Sequence, residues 1–316
     1  MLRHYLQWHI IHRCNLQCVH CYQDDYDAMM TYDQMIGALD KYEKYIGLYG
    51  YEGQINLTGG EPLLHPDFMK LSGEIRNRGI RLGILTNGTL IDEKMAQDLA
   101  SLSPVLVQVS LDGPEEIHDS IRGKGQYKRA IEGIDHLVRQ GIKVNVSFTA
   151  MKHNIMHFEE LARELARHGI HKLWWDRVVT DDETLYLSTI EFRGLVEKTL
   201  KLQKKYKFIS NDRALQQLPK GRCGYNCSAG KRLLILLAGG ELMACRRLPF
   251  IIGSIYDDRA LSDIIHEDDM MKKLSCQMIP DECRNCKLAF ECRGGARCVT
   301  YAETGRLDIK DLNCWL

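Results

Sequence analysis

The chain has 316 residues, 45% of them hydrophobic, with 42 Lys and Arg against 42 Asp and Glu, so its formal charge is zero. A balanced surface argues against a dominant electrostatic draw toward nucleic acid or anionic lipid, and the longest apolar run, residues 233–238, is far too short to cross a bilayer. With no apolar signal core behind Arg3 and His4, the expectation is a soluble cytoplasmic protein with no nucleic-acid or membrane partner, whose twelve cysteines are metal ligands sooner than disulfides.

Between residues 6 and 179 short β-type runs alternate with longer amphipathic ones. Strands are expected at 6–11, 54–58, 80–86, 105–111, 142–149 and 172–179, with helices at 32–47, 67–79, 92–101, 127–140 and 155–168 between them. Gly79, Gly88, Pro104, Gly141 and Gly169 punctuate the joins. Six βα units in series imply a parallel sheet with right-handed crossovers, and that number suits a partial (β/α)6 TIM-like barrel. Sites of parallel α/β folds lie at the carboxyl ends of strands. The chemically interesting residues fall there: Cys14, Cys18 and Cys21 after the first strand, Gly59-Gly60-Glu61-Pro62 after the second, Asn87-Gly88 after the third and Ser110-Leu111-Asp112-Gly113 at the fourth.

The cysteine triplet has the asymmetric spacing C-x3-C-x2-C. Thiolates ligate iron–sulfur clusters, and a [4Fe–4S] cube takes four of them. Three on one loop leave the fourth iron without a protein ligand, open to a substrate or a second cofactor. A zinc knuckle is the alternative, although zinc motifs favour paired C-x2-C units that close a tetrahedron. Gly59 and Gly60 allow close approach of backbone, and the Glu61 carboxylate can face an ammonium group.

The stretch from Cys14 to Tyr22, C-N-L-Q-C-V-H-C-Y, resembles the signature of the radical S-adenosylmethionine (SAM) superfamily. The resemblance implies that SAM chelates the open iron and that one electron cleaves its sulfonium to a 5′-deoxyadenosyl radical, with the protein supplying binding, orientation and shielding. It implies further that Gly59, Gly60 and Glu61 bind the SAM amino group. Asn87 and Ser110 are then contacts to the ribose or carboxylate, and Arg122 pairs with the carboxylate. Turn formation for the first two and a structural ion pair for the third are the competing readings. His20 is expected to pack near the adenine, Tyr22 can flank it, and no histidine is assigned a metal.

No cysteine occurs between residues 22 and 222, and nine follow: 223, 227, 245, 276, 283, 286, 292, 298 and 314. The pattern Cys227-x12-Gly240-x4-Cys245, then Cys283-x2-Cys286-x5-Cys292-x5-Cys298 and a closing Cys314, resembles the SPASM extension of peptide-modifying radical SAM enzymes. It departs from that extension where five residues replace three before Cys298. The resemblance implies two auxiliary [4Fe–4S] clusters, three in all with the front one. Cys223, Cys227, Cys245 and Cys298 would hold the first, and Cys283, Cys286, Cys292 and Cys314 the second; Cys276 is left over. Zinc ribbons share the C-x2-C pieces. The expected organisation is a barrel over 1–180, a bridge over 181–222 with an amphipathic helix at 191–207, and a SPASM domain over 223–316.

The expected activity is hydrogen abstraction from a peptide or small protein to form a cross-link or thioether. Radical modification of a tetrapyrrole or other small molecule is the alternative, since Arg293–Arg297 (R-G-G-A-R) resembles a stretch of haem-biosynthesis relatives. A non-catalytic iron–sulfur electron carrier is the reading from another class, opposed by the intact triplet and G-G-E-P. Arg246 stands where sulfatase-maturing members have an acid, which argues against formylglycine formation. With the first strand expected about five residues in, no leader-peptide domain is expected before it, so a peptide substrate would use a separate leader-binding protein or dock directly at the barrel mouth, and a flavodoxin- or ferredoxin-type reductant is the other expected partner.

Overall fold

The structure, a computed structural model, describes residues 1–23, 25–210, 227–276 and 278–316. Six parallel strands lie side by side in chain order: β1 (Arg3–Ile11), β2 (Glu52–Gly59), β3 (Arg81–Thr86), β4 (Leu106–Ser110), β5 (Val144–Ala150) and β6 (Lys172–Arg177). The crossovers carry α1 (Tyr32–Leu48), α2 (Phe68–Asn77), α3 (Glu93–Ser101), α4 (Glu115–Arg122), α5 (Gln126–Arg139) and α6 (Phe158–Leu165), and α7 (Thr189–Lys205) follows β6. This is the expected mixed α/β, partial-barrel architecture.

Strict alternation within the strands separates two faces. Leu6, Trp8, Ile55, Leu57, Leu82, Ile84, Val107, Val109, Val146 and Phe148 are each no more than 2% exposed and belong to one core with the helices. Many of the intervening positions are polar and align across the sheet, with Gln7 opposite Asn56, Gln108 opposite Asn145 and Ser110 opposite Ser147. They form the inner face of the barrel. Helix α1 starts at a reciprocal Thr31–Gln34 capping box and buries Met35, Leu39, Tyr42 and Ile46 along one stripe. Helix α7 starts the same way at Ser188 and Glu191.

Three features depart from the pattern read along the chain. Helix α4, only two turns long, follows Pro114 with Glu115 and Glu116 in its first turn, where acids favour the helix dipole; its brevity hides its period. The expected helix 155–168 begins as a separate 3-10 turn, Ile155–His157, and α6 ends at Leu165. The apolar run at 233–238 supplies β7 (Leu233–Leu236), which pairs in parallel with β1, Leu6 opposite Leu234 and Trp8 opposite Leu236. A run that short does not by itself distinguish a buried strand from a helix segment.

Beyond β7 the sheet continues antiparallel through β8 (Glu241–Met243) and β9 (Ile251–Ser254). The back third ends in the short helices α8 (Leu261–Glu267), α9 (Asp269–Cys276), α10 (Ala289–Cys292) and α11 (Arg297–Thr304). Among the described residues no helix is long and apolar enough to cross a membrane.

Candidate active site

Cys14, Cys18 and Cys21 sit on the loop leaving β1, and the Cys21 N–H donates to the Cys18 carbonyl at 3.0 Å to close a turn. Donors from several elements reach the sulfurs. The Leu16 N–H lies 3.4 Å from Cys14 Sγ, the Asn87 amide 3.9 Å from the same atom, the Arg122 guanidinium 3.7 Å from Cys18 Sγ and the Tyr26 hydroxyl 3.8 Å from Cys21 Sγ. Burial pushes the Cys14 thiol up to about 11; the Leu16 N–H opposes the rise, while Glu61, Cys18 and Cys21 add to it. Three neighbouring thiols, with N–H and O–H groups aimed at their sulfurs, form a donor set for a cationic centre. Among the described residues no three His, Cys, Asp or Glu side chains gather as they would about a single ion. A cube spreads its ligands over separate irons, and the triplet fits that group.

The end of β2 is interlocked with this loop. The Gly60 N–H donates to the Ile11 carbonyl at 2.8 Å and the Glu61 N–H to the Arg13 carbonyl at 3.0 Å. A Cβ on Gly59, whose φ is +149°, would lie 2.0 Å from the Ile11 carbonyl oxygen; one on Gly60 would lie 2.2 Å from that of His12 and 2.4 Å from that of Arg13. The close approach that requires glycine is therefore to the cysteine loop itself.

Glu61 is fully buried and accepts from the Thr86 hydroxyl at 2.8 Å, the Asn87 N–H at 2.8 Å and the Leu63 N–H at 3.2 Å. Burial pushes its carboxyl up to about 7 in spite of those three donors. The folded carboxyl thus keeps its proton to about pH 7, whereas an unfolded one releases it near 4.5. In that window the folded chain binds more protons, so the stability of the metal-free, SAM-free protein falls as pH rises, by about 3 kcal/mol in all. Glu61→Gln is expected to flatten this slope. Urea melts of both proteins at pH 5 and pH 8 check it, and parallel slopes would remove Glu61 as the source.

Asn87 turns its amide to Asn15 at 2.9 Å and accepts from the Thr89 N–H and hydroxyl at 2.9 and 2.7 Å, which sets the β3 loop against the cysteine loop. Ser110 ends β4, half-buried on the inner face. Arg122, on α4, donates from Nε to Asp112 Oδ2 at 2.7 Å while its Nη1 faces Cys18. Asp112 is fully buried and also accepts from the Thr149 N–H at 2.9 Å. Burial would raise its carboxyl, but the Arg122 guanidinium and His20 outweigh that and hold it below the usual carboxylate range. His20 lies 3.7 Å from the same oxygen, against Asp112 and Arg122. Burial, opposed by Asp112, lowers its pKa. Asp112 falls in the strand-end run marked along the sequence, which gives it no role of its own; an acid just beyond a barrel strand, ten residues before an arginine, is the signal for one.

Tyr22 carries the Arg246 guanidinium over its ring, 4.4 Å from the centroid, and its carbonyl accepts from Arg246 at 3.2 Å. Arg246 thus joins the front loop to the chain beside Cys245. On the inner face, Asn145 Oδ1, Trp174 Nε1 and His9 Nδ1 are buried with no hydrogen-bond partner among the described residues. None of the three stands out in the sequence, because a single polar residue inside a strand carries no motif.

In the back third, Cys283, Cys286, Cys292 and Cys314 line one small open cavity, walled otherwise by Lys310 and apolar residues such as Leu288 and Ala289. Four thiols around one cavity fit a cube. Burial pushes the Cys245 thiol up to about 12, with neighbouring Cys298 and Cys227 adding to the rise. Cys223 lies outside the described residues, and Cys276 is exposed at the end of α9. Arg293, Gly294 and Gly295, at φ +53°, +86° and +92°, form a left-handed turn between Cys292 and α11. The longer spacing carries that turn, after which Cys298 faces the other group.

Residues 8–165 match the model of the Radical SAM superfamily. Among curated proteins, the mycofactocin maturase MftC of Mycobacterium tuberculosis is 26% identical over 98% of this chain and 82% of its own length. The AdoMet-dependent heme synthase of Methanosarcina barkeri is 26% identical over 95% of this chain and 93% of its own. The structure of Streptococcus suis SuiB bound to S-adenosylmethionine superposes with a TM-score of 0.79 at 16% identity, covering 100% of this chain and 78% of that one, a likeness of fold. The family match spans half of the chain and includes the cysteine triplet and the β2 glycines: this chain belongs to the radical SAM superfamily and is an enzyme that uses S-adenosylmethionine with a [4Fe–4S] cluster.

Proposed function

We propose that the chain modifies a peptide or small protein, joining two of its groups in a cross-link or thioether, and that it carries two auxiliary clusters. The observation that carries the substrate class is the inner face of the barrel. Amide side chains cluster on it, with Gln7, Gln54, Asn56, Gln108 and Asn145 at its positions. On the neighbouring strands β5 and β6, the Asn145 acceptor and the Trp174 donor are both buried without a partner among the described residues. A peptide unit supplies one donor and one acceptor, whereas the broad faces of a tetrapyrrole call for apolar walls. SuiB has also been solved with its precursor peptide SuiA. The heme synthase among the relatives keeps a tetrapyrrole as the second reading.

In this reading Cys14, Cys18 and Cys21 hold the front cluster, which when bound supplies the electron for reductive cleavage of SAM. The end of β2, from Gly59 to Glu61, together with Asn87, Ser110 and Arg122, frames SAM beside it, and Asp112 holds the Arg122 fork in place. Cys283, Cys286, Cys292 and Cys314 hold one auxiliary cluster, and Cys227, Cys245 and Cys298 with Cys223 the other. The barrel over 1–180, the bridge over 181–222 and the back domain over 223–316 are the working division. A flavodoxin- or ferredoxin-type reductant and a separate leader-binding protein complete the proposal, in the reducing setting of the cytoplasm.

The test is anaerobic reconstitution, reduction, and assay of 5′-deoxyadenosine with cysteine-containing peptides and with an iron-coproporphyrin in parallel. The expected result is 5′-deoxyadenosine together with a peptide lighter by two hydrogens. A modified porphyrin with untouched peptides would overturn the substrate class. Visible cluster absorbance without any SAM cleavage would overturn the proposed chemistry for both substrates.

A further inference from the structure

One buried ion pair reaches the backbone around both groups of back-third cysteines. The Arg177 side chain, at the end of β6, is 5% exposed and that of Asp311 is 2% exposed. They meet as a fork, Nη1 to Oδ1 at 2.8 Å and Nη2 to Oδ2 at 2.5 Å, and Nη1 also donates to Asn313 Oδ1 at 2.6 Å. The guanidinium lies over the Phe192 ring, 4.2 Å from its centroid.

From this pair, contacts run to the cysteine-bearing segments. Asp311 Oδ2 accepts from the Ala296 N–H at 3.0 Å, at the start of the helix that carries Cys298. The Asp311 carbonyl accepts from the Cys314 N–H at 2.9 Å, and its own N–H donates to the carbonyl of Gly294, in the wall of the four-cysteine cavity, at 2.7 Å. The Arg177 carbonyl accepts from the Arg247 guanidinium, two residues beyond Cys245. At Gly295, φ is +92° and a Cβ would lie 2.4 Å from Asp311 Cβ, so the carboxylate can approach this turn only because glycine stands there.

We propose that the Arg177–Asp311 pair is a single positioning element for both auxiliary cysteine groups, tying their geometry to the end of the sixth barrel strand. The iron part of this inference rests on the auxiliary-cluster reading above; the thiol part rests on geometry alone. Removing one partner leaves a buried charge uncompensated, and the segments bonded to it loosen together. Two groups held only by their own local turns would respond separately.

The test compares Asp311→Asn, Arg177→Lys and the milder Asn313→Ala with the wild type. In metal-free protein, iodoacetamide labelling of each cysteine is followed by peptide mass spectrometry. Cys298 and Cys314 are expected to label about ten-fold faster together in the two ion-pair variants, as local opening predicts, and by a smaller factor in Asn313→Ala. Cys14, Cys18 and Cys21 should keep their wild-type rates. After reconstitution, iron should fall by up to about eight atoms per chain, with the front cluster and its SAM-sensitive paramagnetic signal retained. Faster labelling in one group only, in neither, or equally at every cysteine overturns the proposal. Should Asp311→Asn fail to fold, Asn313→Ala decides on the same readout. A wild type that binds only about four irons would sink the auxiliary-cluster reading while leaving the labelling comparison to decide the positioning role.

Discussion

Replacing Cys14, Cys18 and Cys21 together by alanine is expected to lower iron by about four atoms per chain and to cut 5′-deoxyadenosine formation by at least about a thousandfold, the scale on which loss of a catalytic unit registers. The expectation follows from geometry. The three thiols share one loop, Cys18 and Cys21 oppose ionisation of Cys14, and donors from Leu16, Asn87 and Arg122 reach the sulfurs of Cys14 and Cys18. Removing them leaves those donors and the buried Asp112–Arg122 pair intact, so the rest of the barrel mouth should keep its shape. Iron, sulfide and product are measured side by side on anaerobically reconstituted protein. Cleavage that survives the triple substitution would return the triplet to a structural role, and zinc in place of iron would do the same.

The second large effect is expected at Gly60. An alanine there places its Cβ 2.2 Å from the His12 carbonyl oxygen and 2.4 Å from that of Arg13. Both oxygens are backbone, so relief requires the cysteine loop to move away from β2. Overpacking of this kind costs about 3 kcal/mol, and the displacement separates Cys14 from the end of β2. Gly60→Ala should therefore melt well below the wild type and retain less iron at the front site. Gly37→Ala, inside α1 with nothing within 4 Å of the added carbon, should gain about 0.8 kcal/mol from helix propensity. The pair of thermal melts separates a specific interlock from a general response to alanine. A Gly60→Ala protein that melts like the wild type with full iron would rule the interlock out.

Much of the fold is legible along the chain because burial writes a period into it. Trp8, Leu57, Val109 and Phe148 alternate with polar neighbours along their strands and end up on the covered face, and Met35, Leu39, Tyr42 and Ile46 mark the inward side of α1. Helix α4 escapes such a reading because eight residues show too little period. The β7 segment escapes it because its partner, β1, lies more than two hundred residues earlier.

At the site, the division follows the range of the interaction. The spacing of Cys14, Cys18 and Cys21 is a local constraint on one loop, so sequence alone determines that three thiols are presented together, and the βα alternation determines that they are presented at the strand ends. Which donors meet them, that Gly59 and Gly60 make room for the Ile11–Arg13 backbone, and that Glu61 bonds across to Thr86 and Asn87 are decided only in three dimensions. The same holds for Arg177 and Asp311, 134 residues apart. Neither carries a motif, since a buried charge requires a partner but does not specify where along the chain that partner lies; topology supplies it.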